Sequence, residues 1–363
     1  ERPEFGDGTR QMGPFFGGEP HPEKSGLFLH LNTNKKGVTL NLKSDAGLKI
    51  FKELVKEADI LVESFAPGVM AALGLDYKIL EDINPRLVQT SISNFGQTGS
   101  YRDYKATEIV LFAMGPHMIT DGEPDLEPLR YPGYKAQYLA GSHAATATMG
   151  ALIGCQTGGV GQEVDVSIIE CLSSLPEGAG KIVGAGFIGE DVVRTGYRNE
   201  GVYPIGYYPC KDGAMHVFGY TPAQWPRVVA WMEMPELLDD PRFADPLQKL
   251  EHNGEFDVIF MEWMMEKTQE ELFRTSQEHR LPVAPVNLIN KVLEDPQLKA
   301  REAFLEIDHP IIGKTTYTGL PFKLPAVPSS PQQPAPILGQ HNTEIYGQRL
   351  GYSSDELGRF IKD

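Results

Sequence analysis

Three chemistries leave a readable spacing in a sequence: a serine nucleophile, a phosphate-cradling glycine loop and a metal site. A serine elbow needs Gly-x-Ser-x-Gly. Ser142-His143 follows Gly141 but lacks the second glycine. No Ser-His-Asp triad follows from it, and His143 is expected to pack within a helix of small residues. Gly178-Ala179-Gly180 with Gly184 and Gly186 is glycine-dense. These residues do not follow a strand and open a helix, as pyrophosphate binding requires. A packed glycine-rich segment is expected there, and no nicotinamide site. Cys155, Cys171 and Cys210 show no Cys-x-x-Cys spacing, and the nine histidines are scattered. That pattern argues against a zinc site and against a disulfide scaffold, and for a reducing, cytoplasmic setting. The apolar run Met261 to Met265 around Trp263 reads as core.

Composition narrows the function further. The chain has 363 residues, with 33 Lys and Arg against 49 Asp and Glu, a net charge of −16. Sequence-independent nucleic-acid binding needs a basic surface, so this acidic balance excludes it as an expectation. An anionic small molecule could still be held by a few local cations. No apolar run approaches the roughly 20 residues of a membrane helix. The length suits two domains, or one large α/β domain with an appendage.

The elements that must position any site are partly legible. Arg2 to Lys24 is rich in Gly and Pro and reads as loop. Leu27 to Asn32 and Gly37 to Leu42 read as short extended segments. Ser44 or Asp45 offers an N-cap to a helix through Leu48, Phe51, Leu54, Val55 and Ala58. Ile60-Leu61-Val62 is a short buried strand, and Leu87 to Ser93 the next, with helical stretches between. Glu163 to Ser167 is a further strand, and a helix starts at Ile168. This alternation is that of a parallel α/β sheet. Beyond Gly201 the character changes to a strand at Met215 to Phe218 and helices at 222–233, 253–267 and 269–278. The expected organisation is a large domain over 1–200, a smaller one over 205–300, and a linker with a C-terminal return over 301–363. Gly319 to Leu338 is Pro-rich and suits an extended strap. The last twenty residues suit a short amphipathic helix pair.

Five segments taken in order carry a resemblance. They are Asn34 to Lys43, Asp59 to Gly68, Asn84 to Gly96, Gly161 to Ser167 and Leu338 to Glu344. In this order and spacing the chain resembles the class III CoA-transferases, the family of formyl-CoA transferase, carnitine CoA-transferase and α-methylacyl-CoA racemase. The resemblance covers nearly the whole chain. It implies a Rossmann-like large domain, a small α+β domain and an interlocked dimer threaded through extended linkers. It also implies a further strand and helix before Glu1, consistent with an opening that has neither Met nor an apolar signal core.

The resemblance implies coenzyme A as ligand, exchanged between an acyl-CoA and a small carboxylic acid, with no metal and no nicotinamide. The family's CoA-binding positions match Arg2, Leu40, Leu42, Lys43, Ser64, Phe65, Ala66 and Lys105. Arg2, Lys43 and Lys105 are sensible cations for a polyanion. A basic residue common on the next short helix is replaced by Ala72. The family nucleophile is an Asp four residues before the glycine of the small-residue helix, and that position is Gln137. An amide cannot form the mixed anhydride that a carboxylate forms with an acyl-CoA. The His of the family racemases is replaced by Thr107. Glu108 matches an acidic residue found near some family active sites. Asp165 and Glu170 would approach from different backbone, and neither is expected to substitute. The implied role is the Asp-lacking subunit beside a homologous Asp-bearing chain. The alternatives are a homodimeric transferase using another carboxylate and a non-catalytic acyl-CoA-binding protein.

Overall fold

A computed structural model describes residues 1–189, 193–194, 196, 203–219, 221–326, 333–353 and 355–357. Along the chain come α1 (Gly26–Leu31), α2 (Asp45–Val55), β1 (Ile60–Glu63), α3 (Val69–Ala72), α4 (Tyr77–Ile83), β2 (Val88–Ser93), α5 (Glu108–Met114), α6 (Lys135–Gly158) and β3 (Glu163–Ser167). Then follow α7 (Ile168–Ser173), α8 (Pro176–Ile188), β4 (Ile205–Cys210), β5 (Gly213–Phe218), α9 (Trp225–Trp231), α10 (Pro246–Glu251), α11 (Asn253–Met265) and α12 (Gln269–Glu278). The series closes with β6 (Val283–Pro285), α13 (Ile289–Leu293), α14 (Pro296–Ala300), β7 (Phe304–His309), β8 (Gly313–Thr318) and a π-helix at Thr343–Arg349. The architecture is mixed α/β. Two compact units arise: Glu1–Ser93 with Ala144–Asp165 and Ile289–Asp363, and Asn94–His143 with Val166–Leu288.

The first unit is built on a three-stranded sheet, β1-β2-β3. β1 and β2 run parallel, from Ile60 opposite Val88 to Glu63 opposite Ser91. Val55, Met70, Leu75, Leu80 and Leu87 pack into one buried cluster. Val88, Ala151 and Cys155 form another. From position 144 onward the buried residues of α6 are Ala144, Thr148, Ala151 and Cys155, three or four apart, one stripe of a helix. Small side chains there permit close approach, and Thr148 meets Thr90 through a buried hydroxyl pair at 2.6 Å. α2 starts where Ser44 accepts from the Gly47 amide at 3.1 Å. Beyond its far end the Asn84 amide donates to the carbonyls of Val55 and Ala58.

Two of the extended segments expected near the N-terminus fold otherwise. Leu27 to Asn32 falls largely within α1, because Ser25 caps it and Phe28 and Leu29 bury against Ile307, Ile312, Tyr317 and Ala335. A short apolar run has no period that separates strand from helix. Gly37 to Leu42 is irregular, and its backbone pairs with Glu1 on one side and with His341, Asn342 and Tyr346 on the other. The Pro-rich strap is described at 319–326 and 333–338, and residues 327–332 lie outside the described set. Of the expected terminal helix pair, the π-helix and 355–357 are helical, while 354 and 358–363 lie outside it.

The second unit holds an antiparallel sheet, β4-β5-β6. Burial alternates along β4, with Gly206, Tyr208 and Cys210 inward. Phe256, Phe260 and Trp263 stack along one face of α11 at centroid separations of 5.3 and 5.9 Å. They close over Trp225, Trp231 and Phe243, so Trp263 and Met264 are indeed core, while Met265 is half exposed. Tyr203 and Tyr208 both donate to the buried Asp257 carboxylate. Burial, together with these neighbours, pushes the Tyr203 hydroxyl well above its ordinary range. α12 opens on a capping box between Thr268 and Glu271.

The three cysteines are buried and unpaired. Among the described residues no helix is long and apolar enough to cross a membrane, and no group of His, Cys, Asp and Glu could hold a metal ion. Gly180, Gly184 and Gly186 lie inside α8, not in a strand-to-helix turn. His143 is exposed, contrary to the packing role expected from its small neighbours.

Candidate active site

The residues matched to the family's CoA-binding and catalytic positions fall into two groups. Arg2, Leu40, Leu42, Lys43, Ser64, Phe65 and Ala66 belong to the first unit. Lys105, Glu108 and Gln137 belong to the second.

In the first unit, Arg2 stands beside Leu40, because the Leu40 amide donates to the Glu1 carbonyl at 2.8 Å and the Glu1 nitrogen to the Val38 carbonyl at 2.7 Å. Glu1 is fixed in turn by Arg10. That guanidinium is fully buried and bonds Glu1 at 2.7 and 2.9 Å, Glu23 at 2.6 Å and the Pro336 carbonyl at 3.0 Å. It also lies 3.7 Å over the Phe28 ring. Burial alone would raise the Glu1 carboxyl, but the bonds from Arg10 and the Asp7 amide outweigh it and hold its pKa below the usual value.

The opposite side of the 34–40 segment is clasped by the Leu338 to Glu344 motif. The Gly37 amide donates to His341 Nδ1 at 3.0 Å, and the Thr39 amide to Asn342 Oδ1 at 2.9 Å. Tyr346 donates its hydroxyl to the Thr39 carbonyl at 2.9 Å, and Lys36 pairs with Glu344. Two of the sequence segments that carried the resemblance are therefore one clasp, and Leu40 to Lys43 emerges from it. Leu40 and Leu42 are partly buried, and Arg2 and Lys43 are exposed.

The turn at Asn41 to Lys43 also depends on Gly47. A Cβ at this position would sit 1.9 Å from the Asn41 carbonyl oxygen. Gly→Ala in an open helix ordinarily stabilises by about 0.5–1 kcal/mol. Here the sign reverses: Gly47→Ala is expected to destabilise by roughly 1–3 kcal/mol through overpacking. Denaturant titration checks this, and a stabilised variant would contradict the close approach.

Ser64, Phe65 and Ala66 form an exposed turn directly after β1, at the carboxyl end of a parallel strand, where ligands of open α/β sheets bind. The buried Glu63 carboxylate folds back to accept from the Phe65 amide at 2.7 Å and sets the turn. Gly68 adopts φ +87° to lead into α3. Ala72 is exposed on that short helix and adds no cation.

In the second unit, Lys105 is exposed, and its backbone is held where the Asn94 amide donates to the Ala106 carbonyl at 3.2 Å. Tyr101 and Tyr104 stack beside it at 5.0 Å. Glu108, the first residue of α5, is buried. Its Oε1 accepts from the Ala136 amide at 2.7 Å, and its Oε2 is buried with no hydrogen-bond partner. A carboxylate at the first turn of α6 complements the positive helix end. Glu108 thereby fixes the turn from which Gln137 projects, exposed, as the third residue of α6. A carboxylate at 137 would be favoured by the same helix end, but the amide carries no charge. Glu170 is exposed on α7. Asp165 is exposed on β3, in the other unit.

Nothing in the local pattern singles out Arg10, which also reaches the Pro336 carbonyl 326 residues away, or Glu63, which looks like any strand-end acid. The motifs around Asn84, Gly161 and Asn342 were visible, but their roles are architectural. At Gly161 a Cβ would lie 2.0 Å from the Leu87 carbonyl, so this glycine permits the approach of β2.

Residues 1–342 match CoA-transferase family III. The chain is 32% identical to formyl-CoA:oxalate CoA-transferase of Streptomyces avermitilis, over 92% of this chain and 85% of that protein. It is 30% identical to the succinyl-CoA:(R)-benzylsuccinate CoA-transferase subunit BbsE of Thauera aromatica, over 98% of this chain and 88% of that one. A crystal structure of a CaiB/BaiF family protein from Brucella suis superposes with a TM-score of 0.83 at 27% identity, covering 96% of this chain and 90% of that one. The fold, the ordered motifs and the match over nearly the whole length establish that this chain belongs to CoA-transferase family III, a family of transferases.

Proposed function

We propose that the chain is the nucleophile-lacking subunit of a CoA-transferase that moves CoA between an acyl-CoA and a carboxylic acid. The observation that carries this reading is Gln137, an exposed amide where the family chemistry needs a carboxylate, on a helix start that Glu108 still anchors. In that chemistry an Asp of the partner attacks the acyl-CoA thioester, giving a mixed anhydride and CoA thiolate. The thiolate then attacks the aspartyl carbonyl, releasing the first carboxylate and leaving an aspartyl-CoA thioester. The acceptor acid takes CoA by the reverse sequence.

The proposed partner is a homologous Asp-bearing chain in an interlocked dimer. A relative at 30% identity is itself one subunit of a CoA-transferase. α8 offers an apolar surface for such a partner, with Ile182 and Val183 about half exposed and Phe187 and Ile188 at 86% and 71%. The unpaired, buried cysteines suit a reducing cytoplasm.

Arg2, Lys43 and Lys105 are assigned to the phosphates of CoA, Leu40 and Leu42 to its apolar contacts, and the Ser64-Phe65-Ala66 turn to its adenine. Lys43→Glu is then expected to weaken CoA binding by about 1–3 kcal/mol, the range for a charge-assisted hydrogen bond. Calorimetry on the assembled enzyme checks this, with co-purification asking whether a second homologous chain accompanies this one. Unchanged CoA affinity in the variant would remove Lys43 from the site. Absence of any CoA binding at this subunit would make the site vestigial.

A further inference from the structure

The second unit contains a cleft of about 370 Å³ that none of the CoA contacts uses. Phe112, Tyr131 and Tyr138 supply aromatic walls, and Leu139, Leu172 and Leu175 aliphatic ones. Lys135 is the single charged residue among the described residues that line it. The volume lies within the ordinary range of small-molecule sites.

The walls are tied together. Phe112 and Tyr131 meet edge to face at 5.6 Å. The buried His117 stands behind both rings at 6.1 and 6.3 Å, and its Nε2 donates to the Leu172 carbonyl at 2.9 Å. The cation is placed as well: Lys135 Nζ lies 4.4 Å over the Tyr131 ring. The cleft is therefore apolar, aromatic and singly cationic, and its walls are packed against one another.

We propose that this cleft binds a monocarboxylic acid with an aryl or branched alkyl body. The body sits among the rings and leucines, and the carboxylate pairs with Lys135. A dicarboxylate would place its second charge against apolar wall with no partner, which is costly. A very small acid would leave most of the wall unfilled. The cleft is distinct from position 137. Lys135, Tyr138, Leu139 and Ser142 share one face of α6, and at 3.6 residues per turn Gln137 lies roughly 150° round the helix from the middle of that face. The site therefore does not depend on the CoA-transfer reading, and a chain with no transfer chemistry could still possess it.

The test uses ligand-observed NMR or calorimetry on the purified protein, with 3-phenylpropanoate as probe and succinate and 3-phenylpropanamide as controls. The expected result is binding of 3-phenylpropanoate roughly tenfold or more tighter than succinate. Lys135→Met should weaken it about two- to fivefold and remove its advantage over the neutral amide. Leu175→Trp, which fills the cleft from a partly buried position, should reduce binding to the level of succinate while leaving CoA binding unchanged. Tyr138→Ala should weaken the probe without altering the oligomeric state in sedimentation. Equal binding of succinate and 3-phenylpropanoate would overturn the proposal, as would indifference to Leu175→Trp. A Tyr138→Ala variant that changes assembly but not probe binding would identify the cleft as an interface surface, and would overturn it too.

Discussion

Purified alone, the chain is expected to transfer CoA at least on the order of 10³-fold more slowly than when it is reconstituted with an Asp-bearing homologue, the scale of losing a covalent nucleophile. The reason lies at one position. α6 starts where Glu108 accepts from the Ala136 amide, and the next residue is an amide. On the proposed reading the backbone that would present a carboxylate is in place, and Gln137 supplies an amide instead. Gln137→Ala should therefore leave the reconstituted rate within about threefold of wild type, because uniform binding, not chemistry, is all that an amide there can supply. Gln137→Asp should raise the rate of the lone chain above background wherever CoA still reaches the site, aided by the positive helix end. Steady-state kinetics on the three proteins check this. A lone wild-type chain as fast as the assembly would support a homodimeric enzyme using another carboxylate.

Removing the Arg10 side chain is expected to cost more stability than any surface change. Its guanidinium is buried between two carboxylates that are themselves mostly covered, Glu1 at 16% and Glu23 at 14% exposure. Breaking such a cluster strands uncompensated charge, and Arg10→Met should lose about 3–5 kcal/mol. The effect has a pH signature. The Glu1 carboxyl is held below its ordinary 4.5, so its contribution is complete above that value and is lost as pH falls through the lowered pKa. The gap between wild type and Arg10→Met should be constant from neutral pH to about 4.5 and shrink below it. Urea titrations across that range measure it. A loss under about 1 kcal/mol at neutral pH would show that the cluster is not the anchor. Because Arg10 also holds Glu1 beside Leu40 and bonds the Pro336 carbonyl, the variant should loosen the Leu40 to Lys43 turn and weaken CoA binding.

Local rules made much of the fold legible. The strands at 60–63, 88–93 and 163–167 announced themselves as short apolar or alternating runs between turn residues. The start of α12 follows from Thr268 and Glu271, a capping box written in sequence. Where tertiary contacts decide, local reading fails. Leu27 to Asn32 is equally apolar as strand or helix, and the Ser25 cap together with burial against the β7–β8 hairpin selects the helix. His143 looked like a packing residue because its helix is made of small side chains. Those same small side chains give the helix a narrow buried stripe, and position 143 lies off it. Arg10 is invisible in sequence, because its role depends on a carbonyl 326 residues away. The proposed site residues come from the resemblance alone. A surface lysine carries no pattern that separates a phosphate contact from a solvated charge, and the identity of residue 137 acquires meaning only through the carboxylate that the resemblance places there.

The central claim is that covalent chemistry does not occur on this chain, and trapping the intermediate tests it most directly. The assembled enzyme is incubated with acyl-CoA, treated with hydroxylamine, and both chains are mapped by peptide mass. The account predicts a hydroxamate on an Asp of the partner chain and no modified carboxylate in this one. A hydroxamate on Glu108, Asp165 or Glu170 of this chain would contradict it and make the chain a catalyst in its own right.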